Sequence, residues 1–430
     1  MILNLIYLST LLLVSPFLCY RAWRYKKYRD GWGQKILGLA PRLAPLQGER
    51  KRIWFHAVSV GEVNLLKPLV AELQATRPDW EFVVSATSKT GFELARRLFG
   101  DISTVFYCPL DFTWSVKRAL RRIKPDALIL VELELWPNLV KAARKRGVKI
   151  AIVNGRISDA SFTTYNYVRR FLASTFQRVD LIIAQDELAA GYFRALSPTP
   201  ERVVVSGSIK FDGIQTDRNN PKTQELARLA GVTPQDVAYL CGSTQAPEEV
   251  GAIETYRRLY REFPNLKLIV VPRHKERFEE VAKLLDASGF LWTRRSSLDP
   301  NSPPTGEGAR ILLVDALGEL GAWWGLAQIA FVGGSWGNRG GQNMLEPAGY
   351  GAAVSFGPNT RNFRTIVETL LRAKSAVVVA NVDESTAFVR KCLENVSYRE
   401  TLGESARQIV LQNRGATRRT FDALIKLLEN

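Results

Sequence analysis

The chain has 430 residues, more than one ordinary core holds, so two domains are expected. Its formal net charge of +17 points to an anionic partner: nucleic acid, a membrane surface or a phosphorylated substrate. Only two histidines, His56 and His274, are present, which excludes a histidine-rich metal site and leaves a Ser-His-Asp triad few candidates. The four cysteines, Cys19, Cys108, Cys241 and Cys392, lie far apart and exclude a disulfide framework or a cysteine metal motif.

The chain opens on residues 2–20, ILNLIYLSTLLLVSPFLCY, which carry no charge. A hydrocarbon core takes about 20 helical residues, so this run is just long enough to span one. RAWRYKKYR, residues 21–29, follows and sets cations among Trp23, Tyr25 and Tyr28. Cations there favour the cytoplasmic side, and aromatic rings sit at the interface. A cleaved signal peptide would begin with cations and end on small residues, whereas this stretch has bulky Tyr20 and Trp23. The expectation is an uncleaved N-terminal anchor, single-pass or monotopic, with the body in the cytoplasm. Pro16 leaves room for a kinked or partly inserted helix. Residues 30–50 are rich in Gly, Pro and Arg and read as the rest of a juxtamembrane linker.

From Arg52 onward short apolar runs alternate with helical spacing. Strands are predicted at 52–58, 82–86, 104–107, 127–131, 149–154, 181–184 and 203–206. Leu65, Leu66, Leu69, Val70 and Leu73 follow the first at helical spacing, and Pro68 among them predicts a kink or a late restart. The polar segment 212–222, DGIQTDRNNPK, reads as a hinge. A second series has strands at 237–242, 266–271, 311–314, 329–332, 353–356 and 376–379, and residues 414–428 read as a basic amphipathic helix. The pattern is α/β: two doubly wound, Rossmann-like domains with parallel sheets covered on both faces, facing a cleft. Ligands of such folds sit at the carboxyl ends of the strands.

Candidate chemistry gathers at those ends. Glu62 follows the first strand and opens a helix. It is either a general base or a first-turn carboxylate that complements the helix dipole. Glu132 and Glu134 follow the strand 127–131 in VELELWPN, and either can instead cap a helix. Lys210, in SGSIK, ends the first series and either faces the cleft or is solvated. Pro272 and Arg273 end a strand of the second series, where a guanidinium can grip a phosphate with parallel donors. His274 either orients Arg273 or acts itself. Leu317, Gly318 and Glu319 form a turn whose backbone N–H groups can face a base or phosphate. The stretch 329–347, IAFVGGSWGNRGGQNMLEP, reads as strand, glycine loop and helix start, the makings of an anion site. A helix is expected over Asn343–Tyr350, with Glu346 one turn in, where a carboxylate can accept both hydroxyls of a ribose.

HAVSVGE, ELELWPN, GSIKFD, VPRHKERF, ALGELGAWWGLAQIAFVGGS and RGGQNMLEPA, in this order, resemble the Kdo transferases of lipid A assembly. Those enzymes move 3-deoxy-D-manno-oct-2-ulosonic acid (Kdo) from CMP-Kdo to a lipid A precursor. The resemblance runs from the N-terminal anchor to about Phe363 and more loosely beyond. It implies a GT-B fold, with acceptor on the first domain and nucleotide on the second, and an inverting transfer in lipopolysaccharide biosynthesis at the inner membrane. It implies Glu62 as general base, and Glu132 and Lys210 as groups assisting the transition state. It makes Pro272, Arg273, Leu317, Gly318, Glu319, Asn343, Met344, Leu345 and Glu346 the CMP-binding positions. Gln342 stands where many members have histidine, and Met344 where proline is common.

The domains expected are an anchor over 1–20, a basic linker over 21–50, an acceptor domain over 51–215 and a CMP-sugar domain over 216–430. No metal or other cofactor is expected, since CMP leaves readily once cations hold its phosphate. The expected partners are CMP-Kdo, the lipid A precursor and an anionic membrane surface. Nucleic acid is not expected, because cations interleave with aromatics only beside the anchor. The rival activities are another GT-B nucleotide-sugar transferase or a sugar epimerase.

Overall fold

A computed structural model describes residues 2–25, 30–299 and 309–429. It divides into two compact units: Met1–Gly213 with Asn413–Asn430, and Ile214–Gln412. The tail expected in the second domain thus belongs to the first unit.

The first unit is built on strands β1 (Arg52–Ala57), β2 (Glu81–Ala86), β3 (Ser103–Tyr107), β4 (Ala127–Val131), β5 (Lys149–Gly155), β6 (Leu181–Ala184) and β7 (Val203–Val205). They form one sheet in the order β3-β2-β1-β4-β5-β6-β7, with every pair parallel. The strands form because their apolar runs can be buried on both faces; β1 and β4 are buried throughout. Alternate residues of β1 feed opposite layers: Trp54 joins Leu128, Leu130 and Ile150 on one side, while Ile53 and Phe55 join Leu66 and Leu69 on the other. From β1 the chain winds outward through β2 and β3, then from β4 outward the other way. The switch between β1 and β4 leaves a crevice at their carboxyl ends.

The second unit repeats the plan with β8 (Val237–Thr244), β9 (Leu266–Pro272), β10 (Trp292–Arg294), β11 (Ile311–Leu313), β12 (Ile329–Val332), β13 (Ala353–Phe356) and β14 (Ala376–Val378). Their order is β10-β11-β9-β8-β12-β13-β14, again all parallel. Strand β10 is an edge strand of three residues that the sequence reading does not contain; it is too short to show alternation.

Several expectations change. The helix Val60–Thr76 runs unbroken through Pro68, with no late restart. Its buried face of Leu65, Leu66, Leu69, Val70 and Leu73 outweighs the hydrogen bond that Pro68 cannot donate. Residues 30–50 are not a free linker. Gln34 accepts from Tyr107 N–H at 2.7 Å, Leu43 N–H donates to Arg122 O at 3.0 Å, and Ala40 is buried in the core. Gly31 and Gly38 have φ of +77° and +65°, and a Cβ would stand 2.2 Å from the Tyr107 ring and 2.1 Å from Ser115 O. Residues 26–29 of the basic flank lie outside the described residues.

The N-terminal stretch is a helix, Ile2–Tyr25, but the single-pass span is not supported. Among the described residues no helix is long and apolar enough to cross a membrane. Asn4, Ser9, Thr10, Ser15 and Pro16 interrupt its apolar run, and Arg21 and Arg24 end it. Its first turns are tied down by polar contacts. Asn4 Oδ1 accepts from Thr113 N and Oγ1 at 3.1 and 3.0 Å, and Tyr7 Oη donates to Asp111 at 3.1 Å.

The helix Ala416–Glu429 inserts Ala416, Phe421, Leu424 and Leu428 into the layer that holds Ile53 and Phe55. Asp212 accepts from Gly415 N–H at 2.6 Å and from Thr417 N–H, so the chain leaves and re-enters the first unit at one point. Phe421→Ala is expected to destabilise the protein by about 3–5 kcal/mol, the usual cost of emptying a buried phenyl site. Urea unfolding checks this, and a loss below about 1 kcal/mol would mean that the tail does not complete the core.

Candidate active site

In the first unit the site begins where β1 stops. Ser59 caps the helix Val60–Thr76, and Glu62 closes a reciprocal box with it. Val58 N–H donates to Glu62 Oε2 at 2.7 Å, Ser59 Oγ donates to Oε1 at 2.8 Å, and Glu62 N–H reaches Ser59 Oγ at 3.4 Å. Glu62 is thus a capping residue, as one of its two sequence readings holds. Capping uses only part of a carboxylate's four lone-pair positions, so a proton can still be accepted. The group is 9% exposed. Burial pushes its pKa up, the Val58 and Ser59 donors pull it down, the Glu132 charge pushes it up and Lys210 pulls it down.

Beside β1, β4 ends in a turn. Glu132 adopts φ +58°, a left-handed conformation uncommon for a residue with a side chain, and its N–H donates to Val153 O at 2.9 Å. Its carboxylate pairs with Lys210 Nζ at 3.1 Å. Lys210 is carried to this place by Asn154, at the end of β5, whose Oδ1 accepts Ile209 N–H at 3.1 Å. Sequence reasoning missed Asn154. Its one signal is an amide closing the apolar run of β5, where the left-handed φ of +52° suits asparagine. Glu134 lies within electrostatic reach of Glu62 and accepts from Trp136 Nε1 at 3.1 Å. Burial and the Glu62 charge raise its pKa to about 7. The structure therefore gathers Glu62, Glu132, Glu134 and Lys210. His56 stands apart in the core, its Nδ1 3.0 Å from Ser85 Oγ, and burial lowers its pKa to about 4.

In the second unit the corresponding ends are those of β9, β8 and β12. Pro272 is buried and Arg273 is exposed, with its N–H donating to Thr244 O at 3.0 Å. His274 is exposed as well. Leu317 is exposed, and Gly318 turns the chain with φ +84°. The Glu319 side chain is taken up by Arg295, with both oxygens at 2.9 Å, which leaves backbone groups as that turn's offering. Asn343 Nδ2 donates to Glu346 Oε1 at 3.1 Å, and Asn343 Oδ1 accepts Leu345 N–H at 3.2 Å. Met344 and Leu345 are buried. Burial raises the Glu346 pKa, while Asn343, Trp324 and the Arg273 charge oppose it. Arg273 and Glu346 thus share one region.

The glycine loop departs from its reading. The helix spans only Leu345–Gly349, five residues instead of the eight expected, too short to carry a helix-terminus anion site. The first half of the loop is already filled. Glu248 turns its carboxylate into it and accepts N–H groups from Gly334, Ser335 and Trp336 at 2.8, 2.8 and 3.0 Å, and from Gln245 at 2.9 Å. A Cβ at Gly333 would stand 2.7 Å from that carboxylate. The nest of N–H groups that resembles a phosphate cradle is occupied by the protein itself.

Two doubly wound units, each with charged and polar residues at its switch point, make up the architecture of GT-B glycosyltransferases. A solved structure titled a putative UDP-N-acetylglucosamine 2-epimerase from Listeria monocytogenes covers 88% of this chain and 97% of its own at TM-score 0.59. At 14% identity it shows the fold alone. A family model described as 3-Deoxy-D-manno-octulosonic-acid transferase (kdotransferase) matches residues 30–213. The 3-deoxy-D-manno-octulosonic acid transferase of Haemophilus influenzae is 33% identical over 431 residues, 98% of each chain. That of Chlamydia trachomatis serovar A is 30% identical over 417 residues, 95% of this chain and 93% of its own. The chain belongs to the Kdo transferase family and is a glycosyltransferase.

Glu248→Gln turns an NH₂ group toward backbone donors. Losing one hydrogen bond to a charged group costs about 1.5–3 kcal/mol, which predicts a melting temperature lower by about 3–10 °C. Calorimetry checks this; an unchanged melting temperature would show that the loop holds its shape without the carboxylate.

Proposed function

We propose that the enzyme moves Kdo from CMP-Kdo to a lipid A precursor of the lipid IVA type, with inversion at the anomeric carbon. The observation that carries this reading is the cluster of Glu62, Glu132 and Lys210 at the switch point of a chain belonging to the Kdo transferase family. In the transfer the acceptor hydroxyl oxygen bonds to the anomeric carbon. The bond from that carbon to the CMP phosphate breaks, its electron pair leaves with CMP, and the hydroxyl proton passes to Glu62. Lys210, held beside Glu132, offsets charge near the reacting centre. Arg273 takes the phosphate, the backbone of Leu317–Glu319 faces the nucleotide, and Glu346 accepts from the ribose. The reading assigns charge stabilisation to these groups and calls for no metal.

Glu62→Gln is expected to keep CMP binding and lose about 100-fold to 10,000-fold in turnover. In the same experiments Arg273→Ala and Glu346→Ala should each weaken CMP by about 1.5–3 kcal/mol in calorimetry. Near wild-type turnover in the first variant would remove Glu62 as base, and unchanged CMP affinity in the other two would move the donor site.

The helix Ile2–Tyr25 suits a monotopic contact with the cytoplasmic face of the inner membrane. Asn4 and Tyr7 fasten it to the first unit, and Leu5, Leu12, Leu13 and Trp23 are 59, 65, 82 and 76% exposed. The cations that follow add attraction to anionic lipid, about 1 kcal/mol each near the surface. Flotation with phosphatidylglycerol vesicles is expected to carry the full chain, and Leu12→Glu/Leu13→Glu should leave most of it at the bottom of the gradient. Equal flotation of both would exclude this face.

A further inference from the structure

After β5 the chain forms two short helices, Asp159–Tyr167 and Arg169–Phe176, joined at Val168. Their inner sides are complete. Phe162, Tyr165 and Leu172 pack on the core, Phe162 stacks on Tyr192 at 4.2 Å, and Phe176 is buried. Two rings at the turn are left outside. Tyr167 is 93% exposed and Phe171 83%, the highest values of any large apolar side chain among the described residues. Single exposed apolar residues are ordinary, but two neighbouring rings that no core position needs are not.

Arg169 and Arg170 stand between these rings. Both are exposed, and among the described residues no ion pair holds either of them. Residues 160–179 hold Arg169, Arg170 and Arg178 and no Asp or Glu. The sequence reading finds cations set among aromatics only beside the N-terminal helix, and this turn is a second instance. Rings with unpaired guanidinium groups beside them suit a bilayer interface, where the rings leave water and the cations meet lipid phosphates. A nucleic acid strand would call for a longer basic groove with bases stacked along it.

The place of the turn in the fold favours the bilayer. The helix Arg169–Phe176 leads down to β6, and Asp180 N–H donates to Ile150 O at 2.8 Å at the amino end of β5. Its other end, with the turn, therefore lies toward the carboxyl edge of the sheet. The helix Ile2–Tyr25 is fastened at that same edge. Asp111, beyond β3, accepts from Tyr7 Oη at 3.1 Å, and Asn138, beyond β4, donates to Asn4 Oδ1 at 3.3 Å. The helices that receive it, through Val116 and Leu139, and the two after β5, through Phe162 and Leu172, cover the same layer of core.

We propose that the turn Tyr167–Phe171 is a second membrane contact of the first unit: its rings enter the interface of an anionic phospholipid bilayer, and Arg169 and Arg170 bind headgroup phosphates. This rests on the membrane reading above and adds to it an orientation. One contact lets the unit swing on the surface. Two contacts on one edge turn the carboxyl ends of β1 and β4, with Glu62, Glu132 and Lys210, toward the layer that would hold a lipid acceptor.

The test uses full-length Cys19→Ser/Phe171→Cys, in which Cys108, Cys241 and Cys392 are buried, so that an environment-sensitive fluorophore attaches at the turn. On adding phosphatidylglycerol vesicles its emission should rise and shift to the blue. In unlabelled protein Arg169→Gln/Arg170→Gln should bind those vesicles about 30-fold more weakly, with little change on phosphatidylcholine. A label that stays in water while the chain floats overturns the proposal and leaves the helix Ile2–Tyr25 as the membrane contact. A label that still moves into vesicles in the Leu12→Glu/Leu13→Glu background supports the turn and removes that helix instead. A chain that does not float, with an unresponsive label, removes both. Emission already blue in buffer and growing with protein concentration gives the turn to a second copy of the chain. A response to an RNA oligonucleotide and none to vesicles gives it to nucleic acid, and either result overturns the proposal.

Discussion

Carboxylates at the ends of neighbouring parallel strands receive little help from water, and the first unit must neutralise, cap or protonate each one. It does something different with each. Lys210 neutralises Glu132 at 3.1 Å, the Val58–Ser59 corner caps Glu62, and Glu134 is left with an indole N–H. The topology makes this necessary, because the strand order sets β1 beside β4 and brings their carboxyl ends together. Glu132 and Asn154 both adopt a positive φ at these strand ends. The chain turns sharply as each strand stops, and those turns aim Glu132 and, through Ile209, Lys210 at one spot.

The second unit meets a related constraint with the opposite charge. Its glycine loop presents N–H groups with no helix or strand to receive them, and Glu248, at the start of the helix that follows β8, fills that need. The loop is then stiff where it leaves β12. Ser335 extends the stiffness by accepting Gly357 N–H at 2.8 Å, and Gly341 N–H returns to Gly334 O at 2.8 Å. A rigid first half lets the second half, Gln342 to Glu346, keep a defined shape with exposed Arg273 in its neighbourhood.

The strands were legible because parallel sheets bury both faces, and a run such as ALILV at β4 has no other use. Residues at the carboxyl ends came with them, so Glu62, Glu132, Glu134, Lys210 and Arg273 stood out as candidates by position, while the roles expected of them came from the family resemblance. Partners far apart in sequence could not be named. Glu248 meets Trp336 across 88 positions, and nothing in either local pattern says so. The amphipathic tail showed which face is buried, yet not that the first unit's core would receive it. Apolar content made the N-terminal helix look like a span. Asn4 and Tyr7, two polar residues among many leucines, decide instead that it is fastened to Thr113 and Asp111.

Family membership and these two sites together define the account's central claim, the transfer of Kdo from CMP-Kdo onto a lipid A precursor. The most direct measurement is incubation of the purified full-length protein with CMP-Kdo and a tetra-acylated lipid A precursor, with products weighed by mass spectrometry. The account predicts a lipid product heavier by one or more whole Kdo residues, with one CMP released for each. A lipid of unchanged mass from folded, CMP-binding protein would contradict it.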